Sequence, residues 1–186
     1  MKRDERRQKL ESFGRGPALL SAALRPLPKK MWLYRPAPDR WSIHEIIHHL
    51  ADSEASGYVQ CRTFIAEPGS RFLELNAVRW ADSLGYFHQS TSEAIEIIRR
   101  LRKMTYGLLV SLPESAWSYA LEDANSGEMF LEHWLDRQER HIPHHIDQIH
   151  QNYQFWLEAN PPRKAPLSQP RPVAEPRRSL LSLGVR

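Results

Sequence analysis

The sequence predicts an all-α protein, a four-helix bundle with one long crossover connection. Three observations carry this expectation. Apolar residues recur at helical spacing through three long segments, near 43–66, 90–111 and 128–158. No segment shows convincing apolar–polar alternation with period two, so no strand is expected. The 186 residues, 41% hydrophobic and 26% charged, suffice for one domain with a real core.

Residues 1–16 read as a charged N-terminal segment, helix-forming over 2–12 and set apart from the bundle. The bundle is expected over 17–158. It opens with a short helix at 17–24, with Pro17 in the first turn, where its missing N–H costs nothing. The proline-rich stretch 25–40 reads as an irregular crossing with one helical turn near Met31 and Trp32. The clearest helix start follows. Ser42 stands at N-cap and Glu45 three residues later, a capping box. That helix carries Ile43, Ile46, Ile47, Leu50 and Phe64 on its stripe and stops before Pro68-Gly69. Residues 67–88 form the long connection, with aromatic anchors at Phe72, Trp80, Tyr86 and Phe87. The third long helix, from Ser90 to Ser111, places Ile95, Ile98, Leu101, Thr105, Leu108 and Leu109 at helical spacing. Ser126-Gly127 marks a turn. The last helix runs from about Glu128 to Glu158 through Trp134, Leu135, Ile142, Ile146 and Ile149. Six prolines among residues 161–176 break any helical ladder, so 159–186 reads as a disordered Pro/Arg-rich tail.

Composition narrows the function. The net charge is +4, but residues 1–16 carry +3 and residues 160–186 carry +5, which leaves −4 for the segment between them. A mildly acidic domain with basic tails does not favour specific nucleic-acid binding. No apolar run reaches the roughly 18–20 residues of a membrane span. The charged first residues lack the apolar core of a secretory leader. Cys61, the only cysteine, excludes an intrachain disulfide and cysteine-rich zinc sites, which fits a cytoplasmic location. It reads as a small buried residue.

The chemistry lies in the histidines. Six of the nine fall in two clusters, His44, His48 and His49, then His141, His144 and His145. His141 and His145, four apart, share one helical face. A third imidazole, His49, from a facing helix would complete a three-nitrogen site with open coordination positions, the mark of a catalytic rather than a structural metal. Pro143, between the paired histidines, is expected to kink the helix, which either spoils that geometry or aims both rings at one point.

Two strings together are specific. They are Trp41-Ser42-Ile43-His44-Glu45-Ile46-Ile47-His48-His49-Leu50-Ala51-Asp52-Ser53-Glu54 and His141-Ile142-Pro143-His144-His145-Ile146-Asp147-Gln148-Ile149. With the connection Asn76-Ala77-Val78-Arg79-Trp80-Ala81, they resemble the DinB-like (DinB/YfiT-like) metalloenzyme superfamily over about residues 17–158. The resemblance implies a four-helix bundle with a divalent metal on His49, His141 and His145, with His48 and His144 as neighbours and Gln148 supporting a ligand. Imidazole ligands favour zinc or nickel as the ion, and iron or manganese would also accept them. The resemblance fixes the site better than the reaction, since the superfamily includes thiol-dependent transferases, an isomerase and proteins described as hydrolases.

A hydrolase or a thiol-dependent transferase acting on a small molecule is the expected function, the latter with a low-molecular-weight thiol as co-substrate. Asp52, on the His49 face, is the candidate catalytic residue, as proton acceptor or as a group orienting an imidazole. Trp41, Trp80 and Trp134 read as core. The alternative function is a non-catalytic helical metal-binding or stress-response module. A homodimer is a candidate assembly, because bundle helices often bury a face against a second copy.

Overall fold

A computed structural model describes residues 1–124 and 127–161. Its order is α1 (Arg3–Leu24), α2 (Ile43–Ala66), α3 (Ala77–Ser83), α4 (Thr91–Val110), β1 (Ala120–Asp123), β2 (Gly127–Phe130) and α5 (Leu131–Ala159). Four helices, α1, α2, α4 and α5, form the bundle. α2 packs mainly on α4, and α1 on α5. The α2–α4 connection is the long crossover and holds the short α3.

Start signals place the helices as the sequence indicates. The Ser42 hydroxyl accepts from the Glu45 backbone N–H, and the Glu45 carboxylate accepts from the Ser42 N–H at 2.9 Å, which completes the capping box of α2. Arg35 binds the same carboxylate, through Nε at 2.8 Å. Asn76 caps α3 by accepting from the Arg79 N–H at 3.0 Å. The expected turn near Met31 is a 3₁₀ turn at Lys29–Met31.

Three expectations need correction. The break between residues 16 and 17 does not exist. α1 is one helix through Pro17, and it buries Phe13 and Gly16 inside the bundle as well as Leu20 and Leu24. The two halves of this segment look different in composition, yet both lay one face on α5. Secondly, a two-stranded antiparallel hairpin pairs Ala120 with Phe130 and Asp123 with Gly127. It takes residues 127–130 away from the last helix, which starts at Leu131 rather than Glu128. Gly127 has φ +82°, a left-handed conformation that suits glycine. The expected turn residue Ser126 and the tail from residue 162 lie outside the described residues. Thirdly, Trp80 on α3 is exposed, whereas Trp134 is fully buried.

Two apolar clusters make the core. One joins Leu20, Met31, Ile43, Ile47, Leu50, Ile98, Ile142 and Ile149. The other joins Phe13, Cys61, Phe64, Leu109, Trp117, Trp134 and Leu135. Between them lies a polar layer the sequence reading missed. Arg102 of α4 is 1% exposed and Glu54 of α2 is 4% exposed. The Arg102 Nε donates to both Glu54 carboxylate oxygens, at 3.0 and 2.9 Å, and Nη2 also donates to Oε1. Nη1 donates to the carbonyls of Phe13 on α1 and Gln138 on α5, each at 3.3 Å. One guanidinium therefore touches all four bundle helices. Gly16 keeps this level open, since a Cβ there would lie 3.0 Å from Ile142 Cδ1 and 3.8 Å from Arg102 Nη1.

Removing one partner of a buried ion pair leaves the other charge uncompensated, so Arg102→Met should lower unfolding free energy by about 3–5 kcal/mol. The double variant Arg102→Met/Glu54→Leu should recover most of that loss. Urea denaturation measures both, and a single-variant loss below about 1 kcal/mol would show that the pair is not structural.

Candidate metal centre

α2 and α5 bring the three predicted histidines together just above the Arg102–Glu54 layer. One ring nitrogen from each of His49, His141 and His145 lies within 4.8 Å of the other two. His141 Nε2 is 3.2 Å from His49 Nε2 and 3.1 Å from His145 Nε2. α5 runs unbroken through Pro143, so the paired ligands keep their shared face. The rings meet edge-on, with interplanar angles of 81°, 66° and 82°. Imidazole nitrogens bound at about 2.0–2.1 Å to one ion sit about 3.0–3.4 Å apart in tetrahedral or octahedral geometry, and the two spacings about His141 match this.

The hydrogen bonds point the same way. His145 Nδ1–H donates to Gln148 Oε1 at 2.8 Å, which leaves the Nε2 lone pair facing inward. Gln148 Nε2 in turn donates to His144 Nε2 at 3.1 Å, so exposed His144 supports a ligand and is not one. The Nδ1 atoms of His49 and His141 are buried without a partner. With His145 fixed in this tautomer, only a proton on His141 can bridge the three Nε2 atoms, and that leaves the buried His141 Nδ1 as an unpaired acceptor. A cation accepts all three lone pairs at once.

Burial first, and then mutual repulsion, holds these imidazoles in the neutral form that binds metal. The pKa of His49 falls to about 4, through burial and the His145 charge. That of His141 falls to about 2, through burial, then His145, His49, Arg102 and Arg137. Burial takes His145 to about 4 against the opposing Gln148 bond. His48, buried with Nε2 unpartnered and stacked on Tyr86 at 5.4 Å, is also lowered to about 4. His44 is structural. Its Nε2 donates to the Tyr86 carbonyl and its Nδ1 accepts from Thr91, both at 2.7 Å, which ties α2 to the start of α4.

One cavity opens on the triad, and a second lies beyond Trp41 and Gln148. A cavity of about 160 Å³ is lined by His49, His141, Ser53, Ser56, Gln138 and Arg137, among others. On the other side, Trp41 packs on the His49 ring at 4.9 Å. Trp41 and Gln148 also line a larger cleft of about 740 Å³ with Arg35, Val78 and Asn152. Asp52 is not among the cavity residues. Its carboxylate accepts the Tyr86 hydroxyl at 2.5 Å. Burial raises the Asp52 pKa against that bond, while burial and then Asp52 raise that of Tyr86. Cys61 is fully buried, and burial pushes its thiol up to about 12, so it is inert packing.

Comparison with known families matches residues 12–149 to the DinB superfamily. The chain belongs to that superfamily. A relative from Oceanobacillus iheyensis, named "Putative metal-dependent hydrolase OB0782", is 24% identical over 109 residues. The match covers 59% of this chain and 63% of that protein, less than two thirds of its length. Among solved structures, YfiT from Bacillus subtilis, titled a probable metal-dependent hydrolase with an unusual four-helix bundle topology, superposes with a TM-score of 0.76. Identity is 17%, over 83% of this chain and 89% of YfiT. A histidine-to-alanine mutant of the mycothiol-dependent maleylpyruvate isomerase superposes with a TM-score of 0.63. Identity there is 12%, over 77% of this chain and 60% of that one. At these identities the two structures share the fold alone. Among the described residues no helix of this DinB-superfamily chain is long and apolar enough to cross a membrane.

The lowered imidazole pKa values give the metal-free protein a defined acid response. The unfolded chain binds these protons near pH 6.5, and the folded chain resists them down to about 4. Stability is therefore full above about pH 6.5 and falls as pH drops toward about 4, where the slope eases. Urea midpoints of metal-free protein at pH 7, 5.5 and 4.5 should decline, and the His49→Phe variant should decline less steeply. A flat series would contradict the buried, neutral triad.

Proposed function

We propose that this chain is a metal-dependent enzyme that holds a divalent ion, zinc or nickel, on His49, His141 and His145 and hydrolyses a small molecule. The observation that carries this is the convergence of three imidazole lone pairs, with His141 Nε2 at 3.2 and 3.1 Å from the Nε2 atoms of His49 and His145, where one cation can accept them together. The metal-dependent hydrolase names of the Oceanobacillus and Bacillus relatives support it. Neutral ligands leave the ion its full positive charge, and a bound ion supplies Lewis-acid chemistry that lowers the pKa of a water or thiol and polarises a carbonyl.

The protein's own groups do the positioning. Gln148 fixes the His145 tautomer. Trp41 covers one side of His49 and excludes water there. Ser53 and Gln138 offer hydrogen-bonding groups to whatever enters the cavity. Asp52 enters this reading through Tyr86, whose ring stacks on His48 beside the ligand His49, and so acts as a positioning group.

A second reading, thiol-dependent transfer, draws support from the larger cleft, whose wall residues Trp41 and Gln148 touch His49 and His145, and which has room for a polar co-substrate. The mycothiol dependence of the isomerase that shares the fold supports it too.

Full-length protein prepared without a histidine tag and supplemented with zinc or nickel should carry about one equivalent of metal, and His145→Ala should carry less than about a tenth. Gln148→Ala should weaken the ion's affinity about 10–100-fold. Ester and amide panels, with and without low-molecular-weight thiols, then separate the two reactions. Wild-type protein that takes up no metal after supplementation would overturn both.

A further inference from the structure

We propose that the cavity beside the triad selects a small substrate bearing a carboxylate, and that Arg137 is the residue that binds it. This rests on the metal-dependent reading of the same site and adds the substrate class. Arg137 stands four residues before His141 on α5, so the two share a face, about 6 Å apart along the helix. Among the residues that line the cavity, Arg137 alone is charged at neutral pH. No lining carboxylate neutralises it from inside.

Arg137 is held loosely. Its ion-pair partner is Glu74, at 2.9 Å, with both side chains about half exposed, and its guanidinium lies 6.0 Å from the centre of the Phe72 ring. An exposed pair of this kind contributes little to stability and exchanges readily. Glu74 thus acts as an internal stand-in for an incoming carboxylate. A planar guanidinium with spare N–H groups matches a carboxylate in bidentate fashion. The contrast with Arg102 is direct, since that guanidinium is fully engaged and sealed from solvent.

The neutral groups around Arg137 complete the site. Gln138 is 9% exposed and lines the cavity, and its amide makes no hydrogen bond among the described residues, so it is open to a ligand or water there. The Ser53 hydroxyl is likewise uncommitted. The cavity volume of about 160 Å³ equals roughly five water molecules, which suits a short acid or the acid end of a larger molecule. A single guanidinium balances one negative charge.

The test uses the full chain, metal-free and zinc-loaded, titrated with butyrate, butyramide and inorganic phosphate. Binding is read from backbone amide chemical shifts at Ser53 and Gln138. Butyrate should bind at least about tenfold more tightly than butyramide in both forms. Arg137→Ala should erase that preference while zinc uptake stays at the wild-type level. Arg137→Lys should keep part of it, and Glu74→Gln should strengthen butyrate binding several-fold by removing the competitor. Equal binding of acid and amide, or an undiminished preference in Arg137→Ala, would overturn the proposal. Tighter Arg137-dependent binding of phosphate would overturn the carboxylate assignment. Wild-type protein that fails to take up zinc removes the metal reading by itself, and the preference in the metal-free form still decides the role of Arg137. Should Arg137→Ala not fold, Arg137→Lys and Glu74→Gln carry the decision, because a cavity that ignores both does not use this guanidinium.

Discussion

Arg102 and Glu54 bury opposite charges at the level where the apolar core divides in two. Desolvating two charges is expensive, and the cost is met here by near-complete hydrogen bonding, with the guanidinium spread over a carboxylate and two main-chain carbonyls. Because these partners lie on three different helices and Arg102 on the fourth, sliding any one helix would strand a charge or a carbonyl. Apolar packing alone tolerates such slips more easily, since one leucine contact resembles the next. The pair thus fixes helix register, and register decides where the histidines meet. Glu54 follows His49 by five residues on α2, and Gln138 precedes His141 by three on α5.

The triad is a consequence of that register. Its rings sit just beyond the polar layer, buried enough to stay neutral and close enough that their lone pairs oppose one another without a cation. Pro143 forfeits a helical hydrogen bond between two of them, yet α5 continues and both Nε2 atoms face inward. The outer face of the site is built differently, from loosely held groups such as Arg137, Glu74 and the short α3. Rigid ligands beneath an adjustable rim are what a site needs if it is to hold an ion tightly and admit a substrate.

Much of this was legible in the residues. The capping box at Ser42 and Glu45 marks the start of α2, and the i, i+4 spacing of His141 and His145 marks one face of α5. What escaped notice did so for physical reasons. The hairpin strands are four residues each, too short to show alternation, and only Leu121 among them is fully buried. α1 was divided because its first half is strongly charged, although Phe13 already marks a buried face. Arg102 and Glu54 carried a readable signal. Each is a charged residue on an otherwise apolar stripe, Arg102 between Ile98 and Thr105, and Glu54 one turn after Leu50. Two such interruptions on separate helices suggest a buried pair, but the sequence does not state that they face each other. Asp52 shows the same limit, since its helical face lay beside His49 while its partner, Tyr86, came from the crossover.

The most direct measurement is X-ray absorption at the zinc edge of full-length protein loaded with one equivalent. The account predicts a first shell containing three imidazole nitrogens near 2.0–2.1 Å, with oxygen scatterers completing it. A shell of oxygens without the imidazole signature would contradict it, because the three rings would then converge for some purpose other than binding an ion.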